Sequence, residues 1–285
     1  MKTLLVISLF CTMLACSHSN KNPNPEFKKY AGFQSEYIGP RNVEIMLPPN
    51  YDPNKKYDVL YMHDGQNVFD PFTAFYNNEW GVDEAVADLM KTGEIRPVIV
   101  VAVWNTEIRF QEYMPNKPVE AIQELRKNSG LMNDLLSDEY LKFLVYELKP
   151  FVDENFSTIN KPENTFIMGS SMGGLISCYA LCEYPEVFGG AGCVSTHWPA
   201  LDGVFLPYVK NNLPNPSNHK FYFDFGTATL DSLYEPYQIQ VDQMMRENNY
   251  EEDVNWMTRK FEGAKHNEID WRERVHIPLK FLLKP

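Results

Sequence analysis

Two hydrophobic periods take turns along the chain. Asn42 to Leu47 (NVEIML) alternates polar and apolar and stops at Pro48-Pro49, which predicts an early edge strand. Tyr57 to Met62 predicts a buried strand, and Trp80 to Met90 a helix through Val82, Ala85, Val86 and Leu89. Pro97 to Trp104 (PVIVVAVW) is almost continuously apolar, as a strand covered on both faces must be. Ser137 is placed to N-cap a helix whose apolar positions run from Leu141 to Val152. Further along, strands are expected at Thr165 to Met168, Gly189 to Val194, Lys220 to Phe225 and Val254 to Phe261. Helices are expected at Leu175 to Leu181, Glu235 to Asn248 and Asn267 to Leu283, the last bent or broken by Pro278. Strands alternating with helices at this spacing predict an α/β class: a mostly parallel central sheet between helices, a three-layer sandwich. Residues 105–136 and 195–219 are longer, irregular and rich in Pro and Asn. In an open α/β sheet such stretches lie over the strand ends, where ligands bind.

The first residues follow neither period. Lys2 precedes a short apolar stretch, Leu4 to Leu14, too short to span a bilayer and suited to a secretory signal. It ends in Met13-Leu14-Ala15-Cys16, which resembles a bacterial lipobox with Met13 where Leu is usual. The expected division is a signal peptide over 1–15, a lipidated Cys16 with a flexible tether over 16–30, and one domain over 31–285. An ordinary cleaved signal or a buried N-terminal helix is the alternative. A lipid on Cys16 would hold the domain at a membrane surface in the bacterial cell envelope. Cys178, Cys182 and Cys193 form an odd set and read as small buried hydrophobes.

Charge narrows the partners. Acidic residues outnumber basic ones, 38 to 26, for a net charge of -12. A nucleic-acid partner is thereby disfavoured, because phosphate binding needs a basic field. With 44% hydrophobic residues the chain has the means to fill a sizeable core, and disorder is not expected.

The chemistry centres on Gly169-Ser170-Ser171-Met172-Gly173, a G-x-S-x-G sequence between an expected strand and an expected helix. The flanking residues must be small for strand and helix to meet around a strained serine, whose hydroxyl then projects above the sheet. Ser171 is the candidate nucleophile, and it needs a base. Chain order after such an elbow is Ser, acid, His. Of six histidines, His266 alone follows the last expected strand and precedes the last helix, so it is the candidate base. Asp231, in the loop after the Lys220 strand, is the first choice of acid, with Asp224, Glu235 or a Ser–His dyad as alternatives. The oxyanion would be held by the backbone N–H of Met172 and by one from His63-Asp64-Gly65-Gln66-Asn67, with Gln66 the favoured donor.

With these residues in place, the chain resembles the esterase D and enterochelin-esterase-like group of α/β hydrolases over roughly residues 35–285. The resemblance rests on Tyr61 to Asn67, Arg109 with Glu112-Tyr113 and Pro115, Gly169 to Gly174, Tyr184 to Phe188, Gly226-Thr227 and His266. It implies the α/β-hydrolase fold, an acyl-enzyme mechanism on Ser171, and no metal or other cofactor. Asp231 lies farther beyond Gly226 than the acid does in many members. The substrate expected first is an acyl ester, feruloyl or acetyl, of a plant-type carbohydrate. A siderophore or other small-ester hydrolase, a sugar acyltransferase and a noncatalytic glycan-binding lipoprotein are the alternatives. Trp80, Trp104, His197, Trp198 and Tyr208 are the expected substrate-binding residues, since aromatic faces suit a sugar ring or a phenolic acyl group.

Overall fold

A computed structural model describes residues 24–120 and 135–285. Cys16 and the signal segment lie outside the described residues. Among the described residues eight strands form one sheet in the order β1-β2-β4-β3-β5-β6-β7-β8. They are β1 Glu26–Phe33, β2 Arg41–Leu47, β3 Asp58–Met62, β4 Val98–Val103, β5 Thr165–Ser170, β6 Gly190–Val194, β7 Lys220–Gly226 and β8 Trp256–Phe261. The pairings β1–β2 and β2–β4 are antiparallel, and the other five are parallel.

Period two explains how the sheet is buried twice over. In β4 the side chains of Ile99, Val101 and Val103 enter one core, and Val98, Val100 and Ala102 enter the other. The first core is closed by the helices Met172–Glu183 and Glu235–Glu247 and by the helical run that starts at Ser137. The second is closed by Val82–Thr92 and His276–Leu282. The helix after β5 is buried from Met172 to Leu181 on every side, as a helix wedged between sheet and outer helices must be. Cys178 and Cys193 are buried there as expected, and burial pushes the Cys178 thiol up. Among the described residues no helix is long and apolar enough to cross a membrane.

Several expectations are corrected. Residues 26–30, expected as part of a flexible tether, belong to β1. β1 then covers the outer side of β2, so Asn42 to Leu47 is an interior strand and the edge belongs to β1, which carries Lys28 and Lys29. Ser137 does not cap its helix. Leu136 holds that position, and the buried Ser137 hydroxyl accepts from the Asn116 N–H at 2.9 Å. The run is α-helical over Ser137–Lys142, π-helical over Phe143–Leu148 and α-helical again over Lys149–Asn155. The last helix breaks at Val275, three residues before Pro278, because proline fits the first turn of a helix and not its interior. Short helices at Arg109–Tyr113 and Leu206–Asn212 lie in stretches expected to be irregular.

Candidate active site

Strands β3 to β8 run the same way, so the loops after them gather at one end of the sheet. Ser171 sits there, between β5 and its helix, at φ 59° and ψ -120°. A positive φ is costly for any residue with a Cβ. The turn is held because the Ser171 N–H donates to the Val194 carbonyl at 2.9 Å, while the Ser171 carbonyl accepts from Gly174 and His197. A Cβ on Gly169 would meet the Gly173 backbone and the His63 ring at 3.0 Å, so the expected crowding is real. Met172 is the first residue of the helix, and its N–H has no partner within that helix.

His266 and Asp231 meet above the same strand ends. His266 Nδ1 lies 2.5 Å from Asp231 Oδ1. The imidazole packs edge-on against Trp271 at 5.0 Å and Tyr234 at 5.8 Å. Asn267 caps the next helix by accepting from the Asp270 N–H at 3.0 Å, which anchors the loop carrying His266. Asp231 is fully buried, and its Oδ2 accepts from the Gly226 N–H and the Ser195 hydroxyl, both at 2.6 Å. Burial alone would raise its carboxyl. Hydrogen bonds from His266, Ser195 and Gly226 outweigh that and hold it below its ordinary value. The other acids are engaged elsewhere. Asp224 binds Arg274, and Glu235 pairs with Lys260 at the surface.

The loop after β3 is locked to the elbow. Asp64 takes φ 56° and receives Arg109 Nε at 2.6 Å and Nη2 at 2.7 Å, with Asn105 Nδ2 at 2.5 Å. Gly65 packs so closely on β4 that a Cβ would lie 2.6 Å from the Ala102 carbonyl carbon. Gln66 follows, buried, its carbonyl accepting from the Thr73 hydroxyl and its side-chain oxygen from the Asn105 N–H. Burial opposes ionisation of Asp64, but the Arg109 charge and the hydrogen bonds from Arg109 and Asn105 hold its carboxyl below 3.8. A depressed carboxyl contributes stability above its unfolded pKa and loses it as pH falls through the folded value. Asp64→Asn is therefore expected to be less stable than the unmutated chain at neutral pH, with the gap narrowing once pH drops below 3.8. Urea midpoints measured across that range check it. His63, behind this loop, is sealed in. Its Nδ1 lies 2.7 Å from the Tyr140 hydroxyl, and burial lowers its pKa to about 3.

The expected aromatic residues divide. Trp104, half-buried just after β4, and His197, half-buried just after β6, lie at the end of the sheet that carries Ser171. Trp104 Nε1 is buried without a hydrogen-bond partner among the described residues. The structure does not bring the other three into a binding surface. Trp198 is buried, stacks on Phe205 and donates to Gln238 at 2.9 Å. Trp80 is buried against Trp271 at 5.4 Å. The Tyr208 hydroxyl donates to Glu183, at the end of the elbow helix farthest from Ser171. Aromatic side chains carry large apolar area, and here the core has claimed it.

Sequence reading missed Ser195, Tyr234 and Arg274. Ser195 is buried at φ 40°. It donates to Asp231 and accepts from Trp271 Nε1 at 3.0 Å and Arg274 Nη2 at 2.8 Å. Its place directly after β6 is the one signal that could have found it, since strand ends on this side line the site. A cleft of about 860 Å³ lined by Pro162, His219, Lys220 and Asn255 opens at the opposite strand ends and shares no residue with this cluster.

Comparison with known proteins gives the family and the fold. The model of the Esterase family, described as "Putative esterase", matches residues 35–277. The uncharacterized protein YbbA of Bacillus subtilis (strain 168) is 26% identical over 247 residues, 83% of this chain and 90% of that protein. A solved ferulic acid esterase superposes with a TM-score of 0.66 at 17% identity, covering 91% of this chain and 98% of the other. The enterochelin esterase of Shigella flexneri superposes with a TM-score of 0.66 at 17% identity, covering 90% of this chain and 57% of the other.

Proposed function

Because the chain belongs to the Esterase family, we propose that its ester hydrolysis runs through a serine acyl-enzyme, on feruloyl or acetyl esters of plant-type carbohydrates. One observation carries the mechanism: the His266–Asp231 pair stands over the same strand ends as Ser171, which is held at positive φ on a tight elbow. Ser171 Oγ attacks the ester carbonyl carbon and its proton passes to His266 Nε2. The carbonyl oxygen, now negative, is held by the N–H groups of Met172 and Gln66; losing one such donor costs about 3 kcal/mol. His266 then gives the proton to the departing alkoxide, leaving acyl-Ser171. Water repeats the sequence and releases the acid. Asp231 keeps the imidazole in the tautomer with hydrogen on Nδ1.

The ferulic acid esterase likeness supports the substrate class, and Trp104 and His197, after β4 and β6, are the side chains we assign to the acyl or sugar part. The enterochelin esterase likeness favours a second reading, hydrolysis of a siderophore ester. Attachment to the cell envelope through a lipid on Cys16 is part of the same proposal. The test uses the full chain. A fluorophosphonate is expected to attach to Ser171 and to abolish turnover of p-nitrophenyl acetate and methyl ferulate together. A protein that binds intact glycan while Ser171 stays unlabelled would be a binder instead. The ratio of the two ester rates separates feruloyl from acetyl preference.

A further inference from the structure

Tyr234 stands at Ser171 with a partner of its own behind it. It directly follows the turn that carries Asp231, and its N–H donates to the Asp231 carbonyl at 2.9 Å. The ring is fully buried and meets the His266 ring edge-on. The Ser171 side chain is close enough to influence its hydroxyl, which lies 2.8 Å from His197 Nδ1. His197 is tied back to the elbow, since its N–H donates to the Ser171 carbonyl at 3.1 Å. His197 thus links Tyr234 to the backbone of Ser171, while the Tyr234 ring packs on His266. A phenol packed this way cannot swing, so its one proton points to His197 or to Ser171.

We propose that Tyr234 is a further catalytic residue of the serine mechanism above, on which this inference rests. His197 Nδ1–H donates to the Tyr234 oxygen, and the Tyr234 O–H donates to Ser171 Oγ when that oxygen becomes a leaving group. In deacylation His266 takes a proton from water, and the hydroxide oxygen bonds to the acyl carbon. The C–Oγ bond then breaks, its electron pair stays on Ser171 Oγ, and His266 returns the proton there. Tyr234 keeps its own proton throughout. A donor at Oγ stabilises the charge that develops in this step. In acylation the same donor makes Oγ both easier to ionise and less nucleophilic, so its net effect is smaller. Burial keeps the Tyr234 phenol protonated, its pKa raised far above the ordinary value, and burial followed by the nearby His266 and Arg109 charges keeps His197 low.

The experiment follows p-nitrophenol release from p-nitrophenyl acetate by the full chain, before and during steady state. Tyr234→Phe is expected to lower kcat roughly tenfold, ~1.4 kcal/mol, while kcat/KM falls several times less. A burst equal to one active site then precedes the slower steady state, because acetyl-Ser171 accumulates. His197→Ala is expected to show the same split. His197→Asn, which can place an N–H where Nδ1 was, is expected to recover part of the loss. Should Tyr234→Phe fail to fold, the two His197 variants read the same split. Loss of kcat and kcat/KM in equal proportion, or no loss, overturns the role of Tyr234. Retained turnover in Ser171→Ala overturns the serine mechanism itself, so the two failures are distinguishable.

Discussion

Ser171→Ala is expected to lower kcat on p-nitrophenyl acetate by about 10⁶-fold, the size of effect seen when a serine hydrolase loses its nucleophile. The substitution removes one oxygen and leaves the elbow intact, because what holds the turn is the backbone of Ser171, Val194, Gly174 and His197. A loss below about a hundredfold would mean that another group carries the chemistry. The same position makes a second, opposite forecast. At φ 59° and ψ -120° a Cβ is strained, and glycine is not. Ser171→Gly should therefore be as inactive as Ser171→Ala yet more stable than the unmutated chain, by about 1 kcal/mol. Thermal unfolding of the three proteins side by side measures the strain that the Ser171 side chain imposes.

Asp231→Asn is expected to cost about 10⁴-fold in kcat near neutral pH. The reason lies in the hydrogen bonds around Oδ2. The Gly226 N–H can only donate, and the Ser195 oxygen already accepts from Trp271 and Arg274, so its proton is free to go to Asp231. An asparagine must then turn its carbonyl toward these two donors and its NH₂ toward His266. Nδ1 of His266 would have to accept, the ring proton would move to Nε2, and the nitrogen proposed as the base toward Ser171 would no longer be free to take a proton. The kcat/KM profile against pH checks this. Activity within about tenfold of the unmutated enzyme would show that the tautomer is set by another group.

The parts legible in the sequence are those that local physics dictates. A strand covered on both faces must be apolar throughout, and β4, VIVVAV, could hardly be anything else. The elbow was legible because the crowding at Gly169 tolerates almost no side chain. β1 was not, since EFKKYAGF lies at the edge, half in solvent, and its charges mask the strand period. The burial of Trp80 and Trp198 was not legible, because an aromatic ring has the same appearance in sequence whether it meets a ligand or a core. Ser195 and Tyr234 carry no spacing signature at all. Ser195 reaches Asp231 and Arg274 from 36 and 79 residues away, contacts that exist only once the sheet is assembled.

The direction of β1 has a consequence for where the enzyme would face. β1 is antiparallel to β2, and β2 is antiparallel to β4, so β1 runs the same way as the parallel strands. Glu26 pairs with Leu47, and Met46 with Val100, which puts the start of β1 near the beginning of β4, away from the strand ends that carry Ser171. Only nine residues lie between Cys16 and Glu26, a reach of at most about 35 Å when fully extended. A lipid on Cys16, as proposed, would tie the domain to the bilayer from the end opposite Ser171, which favours a mouth turned away from the membrane. An enzyme mounted that way would meet esters arriving from the surroundings rather than those within its own membrane.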